Sequence, residues 1–296
     1  MSSPRHNAGS YHRTPRWERE SSDGVTWWRI HGWEDYGFQA IFFARQGGFS
    51  PSPFDSLNVG HQIGDDPSRV EENRKIVRRF LPPDIAGRIL VPRQVHGTRV
   101  LPVDAIELEA DTSGWAETSE ADALMSSGFS WTLGTYHADC LPVYIADPGT
   151  GAHAMIHAGW RGLVAGVIPE AIRAMRDEYG VDSRDLVCAV GPHIEPDAYE
   201  VGTAVLEPLG DLPWWRDVVS PSSRGRFRLD IGETARRILV DNGVDPRRFV
   251  LNAPGSFGNP GDFYSHRRDG LTGRNVALLA RSRIDEGGSR RGREQG

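Results

Sequence analysis

The sequence is poor in the features that stabilise secreted or membrane-spanning proteins. It has only two cysteines among 296 residues, Cys140 and Cys188, so a disulfide framework is excluded. No run approaches the roughly 18 consecutive apolar residues of a transmembrane helix. The polar first residues also lack the apolar segment of a secretory signal. These absences predict a cytoplasmic protein with no membrane partner.

The sequence also has no excess of basic residues. Its 34 Lys and Arg residues are outnumbered by 40 Asp and Glu residues, which gives a net charge of −6. A protein that follows a polynucleotide backbone usually carries a basic footprint. We therefore expect no nucleic-acid partner, and we interpret local arginine clusters as sites for small anions. No protein partner is predicted.

Short apolar runs alternate with helical patterns between two polar ends. Residues 1–24 and 285–296 have the composition of disordered tails, which leaves one domain over residues 25–284. Strand patterns occur throughout this domain, for example over Phe38–Ala44 and Ala152–His157. Helices are predicted over Ser68–Phe80, Leu163–Tyr179 and Ile231–Asn242. Because no repeat or interior linker divides the chain, we predict a single α/β domain.

Three motifs each stand where a predicted strand runs into a glycine or proline turn. They are RQVHG (Arg93–Gly97), HADC (His137–Cys140) and HAGWRG (His157–Gly162). Strand ends are where α/β proteins place functional side chains. Two imidazoles and one thiolate suit a catalytic zinc, which keeps three protein ligands and one open position. His96, Cys140 and His157 are therefore candidate zinc ligands and catalytic residues.

A structural interpretation of the same residues stays open. A lone cysteine before an apolar run is often a small core residue, and a lone histidine is often a hydrogen-bonded structural group. The spacing of His96, Cys140 and His157 matches no short zinc-finger pattern. Cys188 lies within an apolar run and is predicted to belong to the core.

Two other classes of function use overlapping residues. Cys140 could be the nucleophile of a cysteine hydrolase, with His157 or His96 as the base and Asp139 as the group that orients the base. Alternatively, the protein could bind nucleosides or a partner without catalysis, through the tryptophans of its amino-terminal part. Those tryptophans are Trp27, Trp28 and Trp33.

The HAGWRG motif also offers an anion site. Gly159 and Gly162 bracket Trp160 and Arg161 just before a predicted helix. Free N–H groups at a helix start attract anions, and an arginine can add paired hydrogen bonds to phosphate. The alternative is that the two glycines only allow a helix and a sheet to pack closely.

Two polar segments, 44–60 and 263–274, supply further candidate substrate residues. Segments of this kind in a compact domain are often functional, and their side chains suit phosphate, ribose hydroxyls or a base edge. The candidates in them are Arg45, Ser56, Asn58, His266 and Arg267. Asp122 and Asp139 are added as candidates for proton transfer or for support of the site.

Beyond these motifs, a longer series of segments resembles a known family. The series includes FARQGGFS, SLNVG, QVHG, ADCLPV, HAGWRG, YEVG and SHRRDGLTGR, in this order. It is similar to the YfiH or laccase-domain family, formerly called polyphenol oxidases and regarded as multifunctional purine nucleoside phosphorylases. The resemblance covers Phe38 to Leu279, and the combination of HAGWRG with ADC and QVHG is specific.

The resemblance implies a fold, a metal and an activity. The fold is a four-layer α-β-β-α sandwich with mixed sheets. The metal is zinc, with copper as the alternative, held by residues that correspond to His96, Cys140 and His157. The implied activity is phosphorolysis of adenosine, inosine, guanosine and methylthioadenosine, together with adenosine deamination. The substrates would be purine nucleosides and phosphate.

The sequence departs from the family pattern at a few positions. His137 stands where the family usually has threonine or a similar small residue, and Gly191–Val201 lacks two cysteines of the corresponding segment. Neither departure removes a proposed zinc ligand. The former oxidase name is not supported, because a multicopper oxidase needs on the order of ten histidines in paired arrangements. The chain has 10 histidines, two of them in the first polar tail, and no His-x-His pair.

Overall fold

A computed structural model of the protein describes residues 14–282. The strands are β1 (Arg16–Ser22), β2 (Val25–His31), β3 (Phe38–Phe43), β4 (Ile89–Arg93), β5 (Val100–Pro102), β6 (Trp115–Glu120), β7 (Ala123–Ser126), β8 (Thr132–His137), β9 (Leu141–Ala146), β10 (His153–Ala158), β11 (Val187–Val190), β12 (Glu200–Val201), β13 (Val219–Pro221), β14 (Phe227–Leu229), β15 (Phe249–Val250) and β16 (Asn275–Arg281). The helices are α1 (Pro67–Arg79), α2 (Trp160–Ala165), α3 (Val167–Tyr179), α4 (Leu206–Leu209), α5 (Ile231–Asp241) and α6 (His266–Asp269).

Two large sheets form the centre of the molecule. Sheet A has seven strands in the order β1-β2-β3-β16-β8-β4-β6, and sheet B has six in the order β15-β11-β9-β10-β7-β5. Both are mixed: β4 pairs in parallel with β6 and β8, whereas β16 pairs antiparallel with β3 and β8. A separate three-stranded sheet joins β12, β14 and β13.

Alternating burial along the strands explains why the sheets stack between helices. In β9, Val143 and Ile145 pack with residues of α3 and α5, whereas Tyr144 and Ala146 pack between the two sheets. Successive side chains of a strand point to opposite faces, so a strand covered on both faces becomes a continuous apolar run. A third apolar cluster joins Val77 of α1 to sheet A. The layers are α1, sheet A, sheet B and α3 with α5, which confirms the predicted four-layer sandwich.

The predicted helices agree with the structure except at one break. The amino end of α1 is capped by Asp66, whose side chain accepts a hydrogen bond from the N–H of Ser68. The single helix predicted over Leu163–Tyr179 is instead two helices, α2 and α3, separated by Gly166. This glycine has φ of 96°, a left-handed conformation that ends α2 and begins α3.

The predicted tail over residues 1–24 is wrong for 16–22, because these residues form β1. This strand pairs with β2 along its whole length across a tight turn at Asp23 and Gly24, both with positive φ. Trp17 is 8% exposed, and its indole N–H donates to the Val190 carbonyl at 2.9 Å. One buried tryptophan among charged residues gives little of the alternating pattern that predicts a strand. The Asp-Gly pair at the turn is nevertheless typical of such hairpins. Residues 1–13 and 283–296, including the predicted tail 285–296, lie outside the described residues.

Three connections cross from sheet A to sheet B at one end of the sandwich. Residues 94–99 join β4 to β5, residues 121–122 join β6 to β7, and residues 138–140 join β8 to β9. Each connection leaves one packed sheet and enters the other, so both of its ends are held by strands. This end of the molecule is therefore a rigid place to hold converging side chains.

The amino-terminal tryptophans belong mostly to the core. Trp33 is 1% exposed and Trp27 is 8% exposed, and both pack in apolar clusters of sheet A. Trp28 is partly buried against Phe263. The proposed binding surface of three tryptophans is therefore not supported, because their rings serve packing. Among the helices of residues 14–282, none has the length and apolarity needed to cross a membrane.

We expect Cys188→Ala to retain metal binding with a small loss of stability. Cys188 is fully buried in β11, and burial raises the pKa of its thiol well above the ordinary range. The variant removes one sulfur from the core, so the free energy of unfolding should fall by about 1 kcal/mol. Metal per chain and thermal unfolding measure the two effects. Loss of the bound metal would contradict a purely structural role.

Candidate metal centre and its cavity

The structure brings His96, Cys140 and His157 together at the crossing end of the sandwich. One ligand atom from each residue lies within 4.8 Å of the others. The Cys140 Sγ and His96 Nε2 atoms are 3.8 Å apart, and the rings of His96 and His157 are centred 4.9 Å apart. His96 follows β4, Cys140 lies between β8 and β9, and His157 belongs to β10.

The carboxylate of Asp122 organises two of these ligands. Asp122 is fully buried in the connection from β6 to β7. Its Oδ1 lies 2.8 Å from Nδ1 of His157 and also accepts the backbone N–H of His96 at 3.0 Å. Its Oδ2 accepts the N–H groups of Val95 and Gly97 at 3.2 and 2.7 Å. Successive N–H groups around one anion form a nest, which holds His96 at a φ of 60°.

These contacts determine which atoms are left for a metal. Because an ionised carboxylate only accepts hydrogen bonds, Nδ1 of His157 carries a proton, and Nε2 is the nitrogen that can bind a metal once it has lost its own proton. Such carboxylate–histidine pairs orient the ligands of many metal sites. Asp122 has no exposed surface, so it does not contact a substrate as a binding residue would. Of its two predicted roles, proton transfer and support of the site, these contacts favour support, because Asp122 positions the ligands.

The glycines of HAGWRG make room for this arrangement. A Cβ atom on Gly159 would lie 2.6 Å from Cδ2 of His96 and 3.3 Å from Sγ of Cys140. A Cβ atom on Gly162 would lie 2.8 Å from the carbonyl oxygen of Gly97. Of the two interpretations of these glycines, the structure favours close packing, because both allow the QVHG turn to approach α2.

Cys140 and His157 form an ion pair before any metal binds. Burial by itself raises the pKa of the Cys140 thiol, but the adjacent His157 and His96 rings outweigh it and lower this pKa to about 6. Burial by itself lowers the pKa of His157, but the Cys140 thiolate and Asp122 raise it to about 9. For Asp122, burial opposes ionisation, yet the hydrogen bonds from His157 and Gly97 keep its pKa below the ordinary value.

A cavity of about 490 Å³ opens directly onto the cluster. This volume lies within the range of small-molecule sites in proteins. The residues that line it are Gly60, His61, Gln62, Ile63, Pro92, Arg93, Gln94, His96, Glu117, Tyr136, Ala138, Cys140, His157, Arg161, His266 and Arg274. All three members of the cluster reach the cavity, so a bound metal would face a space able to hold a substrate.

Two of the predicted substrate residues line this cavity. Arg161 is exposed in the first turn of α2, and its guanidinium lies over the Trp160 ring at 4.5 Å. His266 begins α6, and its Nδ1 lies 2.8 Å from the carbonyl of Gly270. A carbonyl can only accept a hydrogen bond, so this contact leaves Nε2 of His266 available for another partner.

Three predicted substrate residues in segment 44–60 do not line the cavity. Arg45 packs over the Tyr264 ring at 4.6 Å, and its guanidinium contacts Asp55 through both the backbone and the side chain. Ser56 bonds to backbone groups of its own loop. Asn58 is fully buried. These residues are corrected to structural roles, because the loop uses its polar side chains to hold its own backbone.

The predicted catalytic residue Asp139 and substrate residue Arg267 also lie outside the cavity. The Asp139 carboxylate accepts hydrogen bonds from Ser256 Oγ and from the backbone N–H of Arg267, both at 2.7 Å. The Arg267 guanidinium donates to the carbonyl of Glu200. Asp139 thus ties the turn before Cys140 to the start of α6, and its assignment as a catalytic group is corrected to a positioning role.

The family departure at His137 affects the backbone of the metal centre, not the cavity. His137 is 1% exposed, with Nδ1 at 2.9 Å from the Cys140 carbonyl and Nε2 at 2.8 Å from Thr135 Oγ1. It therefore helps to fix the chain at Cys140.

Several cavity residues were missed from the sequence. Arg274 is the last residue of segment 263–274, in which only His266 and Arg267 were predicted to bind substrate. Tyr136 and Gln94 come from the ends of β8 and β4, and the Gln94 amide is paired with the backbone of Tyr136. Glu117 lies on β6. The place of Arg274 as the last residue of the SHRRDGLTGR motif was the one sequence signal available, because residues so far apart in the chain have no common periodicity.

Comparison with known proteins agrees with this geometry. The family model described as Multi-copper polyphenol oxidoreductase laccase matches residues 39–282. The chain belongs to this family. The Purine nucleoside phosphorylase of Pseudomonas aeruginosa is 37% identical over 246 residues, which cover 81% of this chain and 92% of that protein. The Purine nucleoside phosphorylase YfiH of Escherichia coli is 32% identical over 243 residues, covering 82% and 93%.

Solved structures of the family have the same fold. The crystal structure of Bacillus licheniformis hypothetical protein YfiH superposes with a TM-score of 0.80 at 27% identity, covering 88% of this chain and 97% of that one. YlmD from Geobacillus stearothermophilus gives 0.79 at 28% identity, covering 89% and 98%. The resemblance inferred from the motifs is therefore confirmed, as is the fold that it implied.

The donor set fits a metal ion. Two imidazoles and a thiolate occur together in catalytic zinc sites and in blue-copper sites, the latter with a weak axial ligand. Within residues 14–282, His96, Cys140 and His157 are the only group of three or more potential ligands. One site of this kind supports one bound metal ion. A multicopper oxidase binds several copper ions, so this site is not sufficient for such an enzyme.

We expect Asp122→Asn to weaken metal binding by about 10- to 100-fold. The amide keeps the shape of the side chain but has one acceptor oxygen in place of two. It cannot satisfy both His157 and the three N–H groups of the QVHG turn. Competition with a chelator of known affinity measures the change.

Asp147→Asn is a matched control for this variant. Asp147 is also buried, at 3% exposure, and its carboxylate holds the turn between β9 and β10 through Gly149 and Thr150. Its replacement should lower the stability but leave the metal affinity unchanged. Equal metal affinity in both variants would show that Asp122 does not position the ligands.

We expect metal binding at pH 7.5 to release about one proton from the Cys140–His157 pair. Between pH 6 and pH 9 the thiol is already ionised but His157 still carries its extra proton, and both groups must be unprotonated to bind a metal. The release should fall towards zero above pH 9 and rise towards two below pH 6. Calorimetry in buffers of different ionisation enthalpy measures the number. A release that does not change with pH would contradict the ion pair.

Proposed function

We propose that the protein is a zinc-dependent purine nucleoside phosphorylase. The observation that carries the proposal is the His96, Cys140 and His157 cluster, which opens onto a cavity that also contains arginine side chains. Relatives named purine nucleoside phosphorylase match most of the chain at 30% identity or more, which supports an enzyme of the same class. In this proposal the substrates are adenosine, inosine, guanosine or methylthioadenosine, together with phosphate.

The metal would be held by His96, Cys140 and His157. When bound, zinc supplies Lewis-acid polarisation at its open coordination position. Asp122 keeps His157 in the tautomer that offers Nε2, and it holds the turn that carries His96. Copper is the alternative metal, and metal analysis of the purified protein separates the two.

Phosphorolysis requires neutralisation of an anionic nucleophile. An oxygen of phosphate forms a bond to C1′ of the ribose as the bond from C1′ to the purine nitrogen breaks, and the leaving purine takes up a proton. We propose that Arg161, on the cavity wall, helps to hold the phosphate in this step. The free Nε2 of His266 is positioned to accept a hydrogen bond from a ribose hydroxyl or another donor of the substrate.

Adenosine deamination is proposed as a second activity of the same cavity. In this reaction the oxygen of water forms a bond to C6 of the purine, the bond from C6 to the amino nitrogen breaks, and ammonia leaves, so no phosphate is needed. The site would differ from that of the usual zinc deaminases, because the sequence has no P-C-x-x-C segment. Its one H-x-E triplet, at His193 and Glu195, does not line this cavity. A cytoplasmic location stays a prediction from the sequence.

A cysteine hydrolase is the second candidate function, and one observation favours it. Asp122, His157 and Cys140 are arranged as a carboxylate, a base and a thiolate, as in a nucleophilic triad. In that case Cys140 would be free to attack a substrate carbonyl. Activity that survives a strong chelator but is lost on alkylation of Cys140 would favour this candidate over the metal enzyme.

We expect the zinc-loaded protein to convert inosine and phosphate into hypoxanthine and ribose 1-phosphate. Cys140→Ala should lose both the metal and at least about 99% of the rate, because it removes the thiolate ligand. Cys188→Ala is the matched control and should keep both. Chromatographic identification of the products, with and without phosphate, is the measurement.

The outcomes separate the candidates. Free ribose formed at the same rate without phosphate would indicate a hydrolase. Tight nucleoside binding without any product would indicate a non-catalytic binding protein. Conversion of adenosine to inosine without phosphate tests the deaminase activity.

A further inference from the structure

Arg274 combines burial, anchoring and access to the cavity. It lies directly before β16, is partly buried, and lines the same cavity as the metal cluster. Its backbone N–H donates to Oδ1 of the fully buried Asn58 at 2.9 Å. This contact links Arg274 to the loop that covers one side of the cavity, so the residue has a defined position before a ligand arrives.

The Arg274 guanidinium is fixed at one end and free at the other. Its Nη1 donates to the carbonyls of Thr272 and Gly273, both at 2.9 Å, which uses both hydrogens of that nitrogen. Within residues 14–282, Nε and Nη2 have no hydrogen-bond acceptor, and neither is sealed from solvent. The free Nε–Nη2 edge is one of the two-donor edges through which arginine binds the oxygens of carboxylates and phosphates in pairs.

Arg274 also lacks the direct ion pair that other arginines of this protein have. Arg45 contacts Asp55, Arg74 lies 3.6 Å from Asp111, and Arg268 contacts Asp269. No carboxylate lies within 4.0 Å of the Arg274 guanidinium among the described residues. A charge in a partly buried place is costly unless it is compensated. Cys140 and Asp139 attract the Arg274 charge without forming a direct ion pair with it, so its free edge can still bind an anion from solution.

The other charged residues of the cavity indicate where an anion would bind. Arg161 is a second arginine of the lining that has no carboxylate partner in the described part of the chain, whereas Arg93 is paired with Glu120. The one acidic residue of the lining, Glu117, lies on β6 at the edge of sheet A. The cavity that contains the metal cluster therefore has two arginines, Arg274 and Arg161, that are available to an anion.

We propose that the Nε–Nη2 edge of Arg274 binds the phosphate substrate in the metal-site cavity. The ligand is a tetrahedral oxyanion, and Arg274 is its principal side-chain donor, with Arg161 contributing from α2. This proposal rests on the proposed phosphorolysis, because that reaction requires phosphate in this cavity. Arg274 takes the role that the sequence had suggested for Arg45.

Steady-state kinetics of Arg274→Gln and Arg274→Lys test the proposal. Gln removes the charge and the paired donors, so the KM for phosphate should rise at least about tenfold, while the KM for inosine changes less than about twofold. Lys restores the charge without the two-donor edge and should recover only part of the loss. Equal increases in both KM values for Arg274→Gln would overturn the proposal.

Arg281→Gln is the matched control. Arg281 ends the same strand at its other end, and it also donates to a backbone carbonyl, that of Ser127, without a carboxylate partner. Its replacement should leave both KM values unchanged. A rise in the phosphate KM for Arg281→Gln equal to that for Arg274→Gln would show a general effect of removing positive charge, and would also overturn the proposal.

A labelling experiment on the unmodified protein removes the dependence on folded variants and on activity. Phenylglyoxal modifies accessible arginines, and peptide mass spectrometry reports each site. Inorganic phosphate should protect Arg274 but not Arg281. Modification of Arg274 at the same rate with and without phosphate would refute the proposal. Protection of Arg274 in a protein that shows no phosphorolysis would instead retain the anion site and reject the proposed function.

Discussion

The Asp122 carboxylate holds together the parts of the metal centre that come from different strands. One oxygen contacts His157 on sheet B and the backbone of His96 after sheet A, and the other accepts two more N–H groups of the same turn. A fully buried carboxylate is stable only when it is paired and hydrogen-bonded. The site therefore forms as a unit, since removal of any partner leaves an uncompensated charge.

Arginines have two different roles in this protein, and their partners distinguish them. Where a guanidinium is saturated by carboxylates and carbonyls, as for Arg45 and Arg268, it holds loops together. Where donors are left over at a cavity, as for Arg274 and Arg161, the charge is available for a ligand. The residue type alone predicts the same role for all of these arginines. Only their contacts in the structure distinguish those that hold loops from those that are available to a ligand.

Much of the fold followed from local patterns. The apolar run of β10 and the capped helix α1 have clear patterns and clear ends, and each was predicted close to its observed bounds. Two local features were misjudged. The hairpin of β1 carries one inward tryptophan among charges. Gly166 divides a helical pattern into two helices, with Pro169 in the first turn of the second helix. In both places one residue determined the local structure, although its neighbours predicted a different one.

The sequence by itself determined the chemistry of the metal centre and the family of the chain. His96, Cys140 and His157 could be chosen because few residue types bind zinc or copper and their motifs are specific. Only the tertiary structure decided the rest of the cavity. Sheet stacking leaves the side chains of Arg45 and Asp139 outside the lining of the cavity and brings Arg274 to its wall. These positions depend on which side chains form hydrogen bonds with distant segments of the chain. Hydrogen-bond partners that are separated by a hundred residues or more leave no periodicity and no fixed spacing in the sequence.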